Sequence, residues 1–303
     1  MQNWIKKGQV YKVESKNSYL VSHASNPLAV NIVDSIFRIF FSGRDINNKS
    51  SISYVDIDIL TEENIYVSAK PLITYGDDGS FYSHGISIGN RYKGKNNEDF
   101  ILFMGWNIEE GKHWRGDIGR LNLLGSKQLK LTSKLPFLQS DNEDPVSLSY
   151  PYVIFHQGIY KMWYGSTISW SSENGEMIHV IKYATSKDGE IWDKHGIAIP
   201  YELGVAQAFS RPSVIIDEKG YHMWYSYRDG TGKKYRIGYS HSSNGTNWTN
   251  KLDEVGIDVS NTGWDSEMLC YPFVFDHNGS RYMLYNGNNY GKDGFGLAKL
   301  IDK

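Results

Sequence analysis

One short pattern of alternating aromatic and aliphatic residues returns five times along this chain of 303 residues. The copies read "FRIFFSGRD" from Phe37, "FILFMGWN" from Phe100, "IYKMWYGS" from Ile159, "YHMWYSYRDG" from Tyr221 and "RYMLYNGNN" from Arg281. Neighbouring copies lie roughly 60 residues apart, a period that builds circular or stacked repeat architectures. Each copy alternates large apolar residues and ends in small or polar ones, the pattern of a half-buried strand. A further strand follows in each: "SSISYVDIDI", "RGDIGRLNLL", "HVIKYATSKDGEIW", "YRIGYSHSSNGTNW" and "GFGLAKL". In the third and fourth copies it runs into Asp188-Gly189 and Asn244-Gly245, which predict two-residue hairpin turns, and Trp192 and Trp248 then open an outer strand.

An inner strand precedes every copy, in "HASNPLAVNI", "FYSHGISIGN", "SYPYVIFH", "SRPSVIID" and "CYPFVFDH". Pro27, Pro151, Pro212 and Pro272 recur at one point, with Gly85 near that place in the second copy. Because proline has no N–H for a sheet ladder, these prolines mark where each inner strand begins. Four strands per repeat and five repeats predict an all-β fold, a five-bladed β-propeller with four-stranded antiparallel blades, as a single domain over residues 1–303. A β-sandwich is the competing architecture, and few or no helices are expected. The last copy stops at its third strand, between Leu300 and Lys303. The N-terminal "GQVYKVES", around Val10 to Val13, is therefore expected to complete the fifth blade.

Composition narrows the partners. A net charge of -2 with no long Lys/Arg run excludes the electrostatic footprint of a nucleic-acid binder. No stretch has the apolar length to cross a bilayer, and the N-terminus lacks the continuous apolar segment of a signal peptide, so a cytoplasmic protein is expected. The single cysteine, Cys270, fits a reducing compartment and a packing role.

In a propeller, the residues just ahead of each inner strand crowd the mouth of the central channel. Those segments bring His23; His84; Asp144 and Tyr150; Gln207 and Arg211; and Trp264, Asp265, Glu267 and Tyr271. Carboxylates accept hydrogen bonds from sugar hydroxyls, arginine binds anions through a fork of donors, and aromatic rings stack on pyranose faces. Glycoside hydrolysis uses two carboxylates, and Glu267 with Asp144 is the pair this sequence offers. Asp265 would raise the pKa of Glu267 by like-charge repulsion. Each group also has a structural role open to it: Asp265 and Glu267 as turn caps, Arg211 as an ion-pair partner, His84 as a hydrogen-bonded histidine. His23 and His84 together would hold an axial water or metal ion, a weak metal signal; no cofactor is implied.

The runs "GWDSEMLCYPFVF", "MLYNGNNYGKDGFGLA", "RPSVIID", "MWYSYRDG", "YRIGYS" and "IKYATSKDGEIW" resemble the five-bladed propeller proteins of bacterial surface-polysaccharide gene clusters. Those are similar in turn to the propeller portion of glucosamine inositolphosphorylceramide transferases and, remotely, to glycoside hydrolase families 32, 43, 68 and 130. The resemblance implies the propeller fold and a carbohydrate-linked role. The family 43 acids are not carried over, since "HASNP" holds no acid and Gln207 stands in "AQAFSRP" where that family has glutamate. Relatives from the polysaccharide clusters have an "FDDHG"-like stretch where this chain has "FYSHG", which keeps His84 and Gly85 but not the acids. The expectation is an enzyme of surface-glycan biosynthesis acting on a glycoside or an activated sugar. Its catalytic residues would be Glu267, Asp144 and His84, with Arg211, Asp265, Tyr150, Tyr271, His23, Gln207 and Trp264 around the substrate. The alternative is a propeller that binds a glycan or nucleotide sugar without cleaving it.

Overall fold

A computed structural model describes residues 1–15 and 17–301, and the predicted end of the last strand at Asp302 and Lys303 lies outside the described residues. Strand β1 (Trp4–Lys12) precedes the repeats. The first repeat contributes β2 (Ser22–Val33), β3 (Ile36–Arg44), β4 (Ser50–Asp58) and β5 (Asn64–Val67), the second β6 (Gly85–Lys93), β7 (Asp99–Ile108), β8 (Trp114–Leu124) and β9 (Gln128–Leu131). The third has β10 (Ser147–His156), β11 (Ile159–Ser169), β12 (Ile178–Ser186) and β13 (Asp193–Ile197). The fourth has β14 (Ser210–Asp217), β15 (Gly220–Tyr227), β16 (Arg236–Ser242) and β17 (Thr249–Asn250). The fifth ends the chain with β18 (Cys270–His277), β19 (Ser280–Asn286) and β20 (Gly294–Leu300). Helix is confined, among the described residues, to α1 (Asn288–Gly291) and one 3₁₀ turn, Leu252–Glu254.

The third and fourth repeats each form a four-stranded antiparallel sheet, and the first two join into an eight-stranded sheet through one parallel bridge between Ser50 and Gly85. In the fifth, β1 pairs antiparallel with β20, Trp4 opposite Leu300 and Lys12 opposite Gly294, so the N-terminal segment supplies the outer strand this repeat lacks. The inner strands β2, β6, β10, β14 and β18 pack each against the next, and β18 packs back on β2.

That circuit explains why the second strands differ from the half-buried pattern predicted for them. In β11 Met162, Trp163 and Tyr164 are all fully buried. Trp163 joins one apolar cluster while Met162 and Tyr164 join another. Trp224 of β15 likewise faces a different cluster from Met223 and Tyr225. Alternation persists, but each face meets a neighbouring sheet, so both faces bury apolar groups.

The prolines also differ from expectation, lying inside the inner strands rather than at their starts. Each follows a residue in the left-handed region: Asn26 at φ 57°, Tyr150 at 38°, Arg211 at 49° and Tyr271 at 55°. At each of the four the strand register slips, leaving the X-Pro pair bulged out of the ladder. A bulge spares proline the donor it lacks. The Asp-Gly and Asn-Gly turns are longer than two residues. Asp188 accepts the N–H groups of Glu190 and Ile191, and Asn244 those of Thr246 and Asn247, before the outer strand begins. These side chains fold the loop as Asx turns, and the backbone donors hold Asp188 down to a pKa of about 2.

Closure of the fifth sheet depends on Gly294, whose φ is 135° and whose added Cβ would lie 1.9 Å from the Tyr11 carbonyl oxygen. Gly294→Ala should therefore strip β1 from β20 and lower stability by at least ~2 kcal/mol, read from urea unfolding. A loss within ~0.5 kcal/mol would show that β1 does not close the sheet.

Candidate functional site

The left-handed bulges place Tyr150 and Tyr271 on the wall of a central cavity of about 410 Å³, to which all five repeats contribute. That volume lies at the lower end of ligand pockets, about 300–1,000 Å³. Tyr150 and Tyr271 face each other with ring centroids 5.5 Å apart. Tyr235 and Tyr290 extend the aromatic wall, at 6.4 Å and 6.3 Å from Tyr271. Burial raises the phenol pKa of Tyr150, Tyr235 and Tyr271, so these hydroxyls stay protonated donors. Trp106 and Trp114 of the second repeat form the opposite side.

Two guanidinium groups enter this aromatic cup. Arg44 ends β3 and Arg228 follows β15, corresponding places in the first and fourth repeats. Arg228 sits 4.7 Å over the Tyr235 ring and donates to Glu176 Oε1 at 2.8 Å, while its buried Nε has no hydrogen-bond partner. Arg44 makes no ion pair among the described residues. His179 lies on the wall with Nε2 2.7 Å from Ser149 Oγ and Nδ1 2.8 Å from Thr167 Oγ1. Burial, helped by the Arg228 charge, lowers its pKa to about 3, so it is neutral. No residue lining the cavity is acidic. The cup is cationic and aromatic, suited to an anion attached to a ring.

The two carboxylates expected to work together sit in different settings. Asp144 is fully buried, accepting Tyr164 Oη at 2.9 Å and Ser166 Oγ at 2.6 Å, and pairing with Lys182 at 2.8 Å and Lys194 at 2.6 Å. Burial alone would raise its pKa, but these donors outweigh it and hold the group below the ordinary range. It is an ionised structural anchor beneath the third sheet. Glu267 is exposed, with its carboxylate on Lys234. Neither lines the cavity. Asp265, expected to act on Glu267, is instead buried and paired with Lys6 of β1 at 2.7 Å, tying down the closing strand.

The other predicted residues divide between wall and frame. His84 stands beside the cavity, its ring 5.9 Å from Trp106 and its Nδ1 accepting the N–H of Ile108. Arg211 is buried with no carboxylate partner among the described residues, and donates instead to the carbonyls of Tyr271 at 3.1 Å and Pro27 at 2.7 Å. Burial lowers its pKa to about 9. Gln207 is fully buried and bonds Asn174 and Ser172. Trp264 stacks on Tyr285 at 5.4 Å. His23, buried beside Ser22, is held neutral by burial and by Arg44 and Lys292, with a pKa of about 4. Among the described residues no group of three or more His, Cys, Asp or Glu is placed to hold a metal ion.

Two proteins of Mycobacterium tuberculosis, the uncharacterized proteins MT1551 (strain CDC 1551 / Oshkosh) and Rv1502 (strain ATCC 25618 / H37Rv), are each 39% identical over 299 residues, covering 98% of this chain and 99% of theirs. The chain belongs to their family. No family model matches it. Among solved structures, the MT1551/Rv1502 family member resembles one described as "Glycoside hydrolase" (TM-score 0.75, 14% identity, 97% of this chain and 92% of the other). It also resembles a glycosyl hydrolase from Bacteroides ovatus (0.73, 11%, 98% and 93%). A third neighbour is described as showing that "the GH130 family of mannoside phosphorylases contains glycoside hydrolases that target beta-1,2 mannosidic linkages in Candida mannan" (0.71, 12%, 98% and 93%). At these identities the likeness establishes a glycoside hydrolase-like, propeller-like fold.

Read from the sequence, Arg44 of "RDINNKS" stayed open between a salt bridge and the rim, and Arg228 was missed, although the two share a signal. "SGRD" and "SYRDG" end two of the five recurring strands with the same Arg-Asp pair. His179, Tyr235 and Tyr290 carried no such mark, since their placement depends on loop paths.

Two outcomes test this assignment of roles. Asp144→Ala would take Lys182 from its carboxylate and the buried Tyr164 hydroxyl from its acceptor, leaving Lys194 with Asp141 alone, and should cost ~3 kcal/mol in denaturant unfolding; a loss under ~1 kcal/mol would return Asp144 to the candidates for chemistry. Between pH ~6.5, where an unfolded histidine titrates, and the lower pKa values of His179 and His23, the unfolded chain binds protons that the folded chain does not. Stability should therefore fall as pH drops below ~6.5, and His179→Gln should make that slope shallower. An unchanged slope would mean that His179 is not held neutral.

Proposed function

We propose that the repeats are the blades of one five-bladed β-propeller spanning residues 1–303, and that its central cavity takes an anionic sugar, either a sugar phosphate or a nucleotide sugar. The observation that carries this reading is the pairing of Arg44 and Arg228 in an aromatic cup that no carboxylate lines. Guanidinium forks match phosphate or carboxylate geometry. The tyrosine and tryptophan faces offer a surface for a sugar ring or a base, and the neutral phenols provide hydrogen bonds without repelling an anion, while His179, neutral and bonded at both ring nitrogens, adds no charge. The resemblance to polysaccharide-cluster propellers adds surface-glycan metabolism as the setting.

The reading changes the chemistry expected of the site. A hydrolase must protonate a poor leaving group and activate water, which takes two carboxylates. A sugar phosphate already carries its leaving group as a stable anion. Transfer from it needs charge stabilisation at the departing oxygens, which two arginines can supply. The second reading, a binder that does not cleave, is favoured by one contact: Glu176, the carboxylate bonded to the cavity's own arginine, is engaged by Arg228.

Titration calorimetry with glucose 1-phosphate, mannose 1-phosphate, UDP-glucose and inorganic phosphate tests the proposal. At least one sugar phosphate should bind, and Arg44→Leu or Arg228→Leu should weaken it by roughly 10- to 100-fold, whereas Glu267→Gln should leave affinity within about twofold. Binding that survives both arginine changes, or that is lost with Glu267→Gln, would contradict it. Release of phosphate or UDP on incubation would separate an enzyme from a binder.

A further inference from the structure

Beside the central cavity, on the side of the second and third repeats, lies a second hollow of about 380 Å³. The two share one residue, Trp114, at the start of β8. Next to it His113 stacks flat on Trp170, with centroids 4.8 Å apart and planes at 16°. Trp170 meets Trp114 edge-on at 4.9 Å and 74°. Trp170 follows the last residue of β11, so two loops from different repeats deliver these rings to one corner.

This corner differs from the aromatic packing elsewhere. Trp163 and Trp224 are fully buried between sheets, whereas Trp114 and Trp170 are only partly buried and His113 is exposed. The hollow around them is polar as well as aromatic, with Asn107, Arg115 and the Glu109–Lys112 ion pair at its border. Flat rings exposed beside hydroxyl-matching donors and acceptors suit the apolar face and polar rim of a pyranose. Burying such rings under a ligand recovers apolar contact that water otherwise occupies.

We propose that this hollow is a second sugar subsite, continuous with the first across Trp114, so that the ligand is a glycan of at least two units with its anionic unit at Arg44 and Arg228. The inference rests on the anionic-sugar reading of the central cavity and adds ligand length and direction to it. One unit sits in the tyrosine cup, and the next lies against Trp114 and Trp170.

Calorimetry with paired probes decides the matter: glucose 1-phosphate against cellobiose 1-phosphate, mannose 1-phosphate against a mannobiose 1-phosphate, and neutral cellobiose and mannobiose. In one series the disaccharide phosphate should bind about tenfold tighter than the monosaccharide phosphate. Trp170→Ala should remove that gain and leave monosaccharide phosphate affinity within about twofold. Arg228→Leu should weaken both members of the pair. Equal affinity of the two lengths, or a Trp170→Ala effect equal on both, would overturn the subsite while leaving the central cavity's role intact. Trp170-dependent binding of a neutral disaccharide with no binding of any phosphate would keep the subsite and remove the anion reading. Absence of binding by every probe would overturn both. Circular dichroism and thermal unfolding of Trp170→Ala confirm that the variant is folded.

Discussion

Close packing of the inner strands in a closed circuit is the constraint from which the rest of the structure follows. Five strands pack each against the next, and four of them relieve the crowding with a bulge whose left-handed residue precedes a proline. Such backbone states cost of order ~1–3 kcal/mol each and persist only when neighbours fix them. Here the neighbours do so: Asn286 of β19 accepts the Asn26 N–H and donates to the Ala24 and Gly294 carbonyls, and Ser226 of β15 accepts the Tyr271 N–H. Arg211 adds a buried guanidinium bound to carbonyls of β18 and β2, so one side chain ties three repeats together. Two of these strained residues, Tyr150 and Tyr271, line the cavity.

Charge is distributed according to that frame. Carboxylates that looked available are engaged in ion pairs away from the cavity: Asp144 with two lysines, Asp265 with Lys6 of the closing strand, Glu267 with Lys234. Removing these acids from the axis leaves the cavity to arginines, although the chain as a whole carries a net charge of -2. Bulk charge therefore says little about the ligand, whereas the local sign argues for an anion.

The fold was legible because its signal repeats. Five similar strands, their turns and an unfinished fifth unit led to the all-β reading and to the N-terminal strand that pairs with β20. The site was legible only where chain position decides geometry, as for Tyr150 and Tyr271 beside their prolines. The burial of Asp144 was not legible because Lys182 and Lys194 approach it from later strands and leave no mark near "DNEDP". Glu267 sits only four residues before Tyr271, yet its side chain turns outward to Lys234. Linear proximity to an inner strand does not fix direction in the loop ahead of it, where strand alternation has not begun.

A crystal structure of the protein soaked with the tightest-binding sugar phosphate tests the central claim most directly. Phosphate oxygens should lie about 2.7–2.9 Å from guanidinium nitrogens of Arg44 and Arg228, with the sugar against the tyrosine wall. A sugar seated at Glu267 with the arginine cup empty would contradict it.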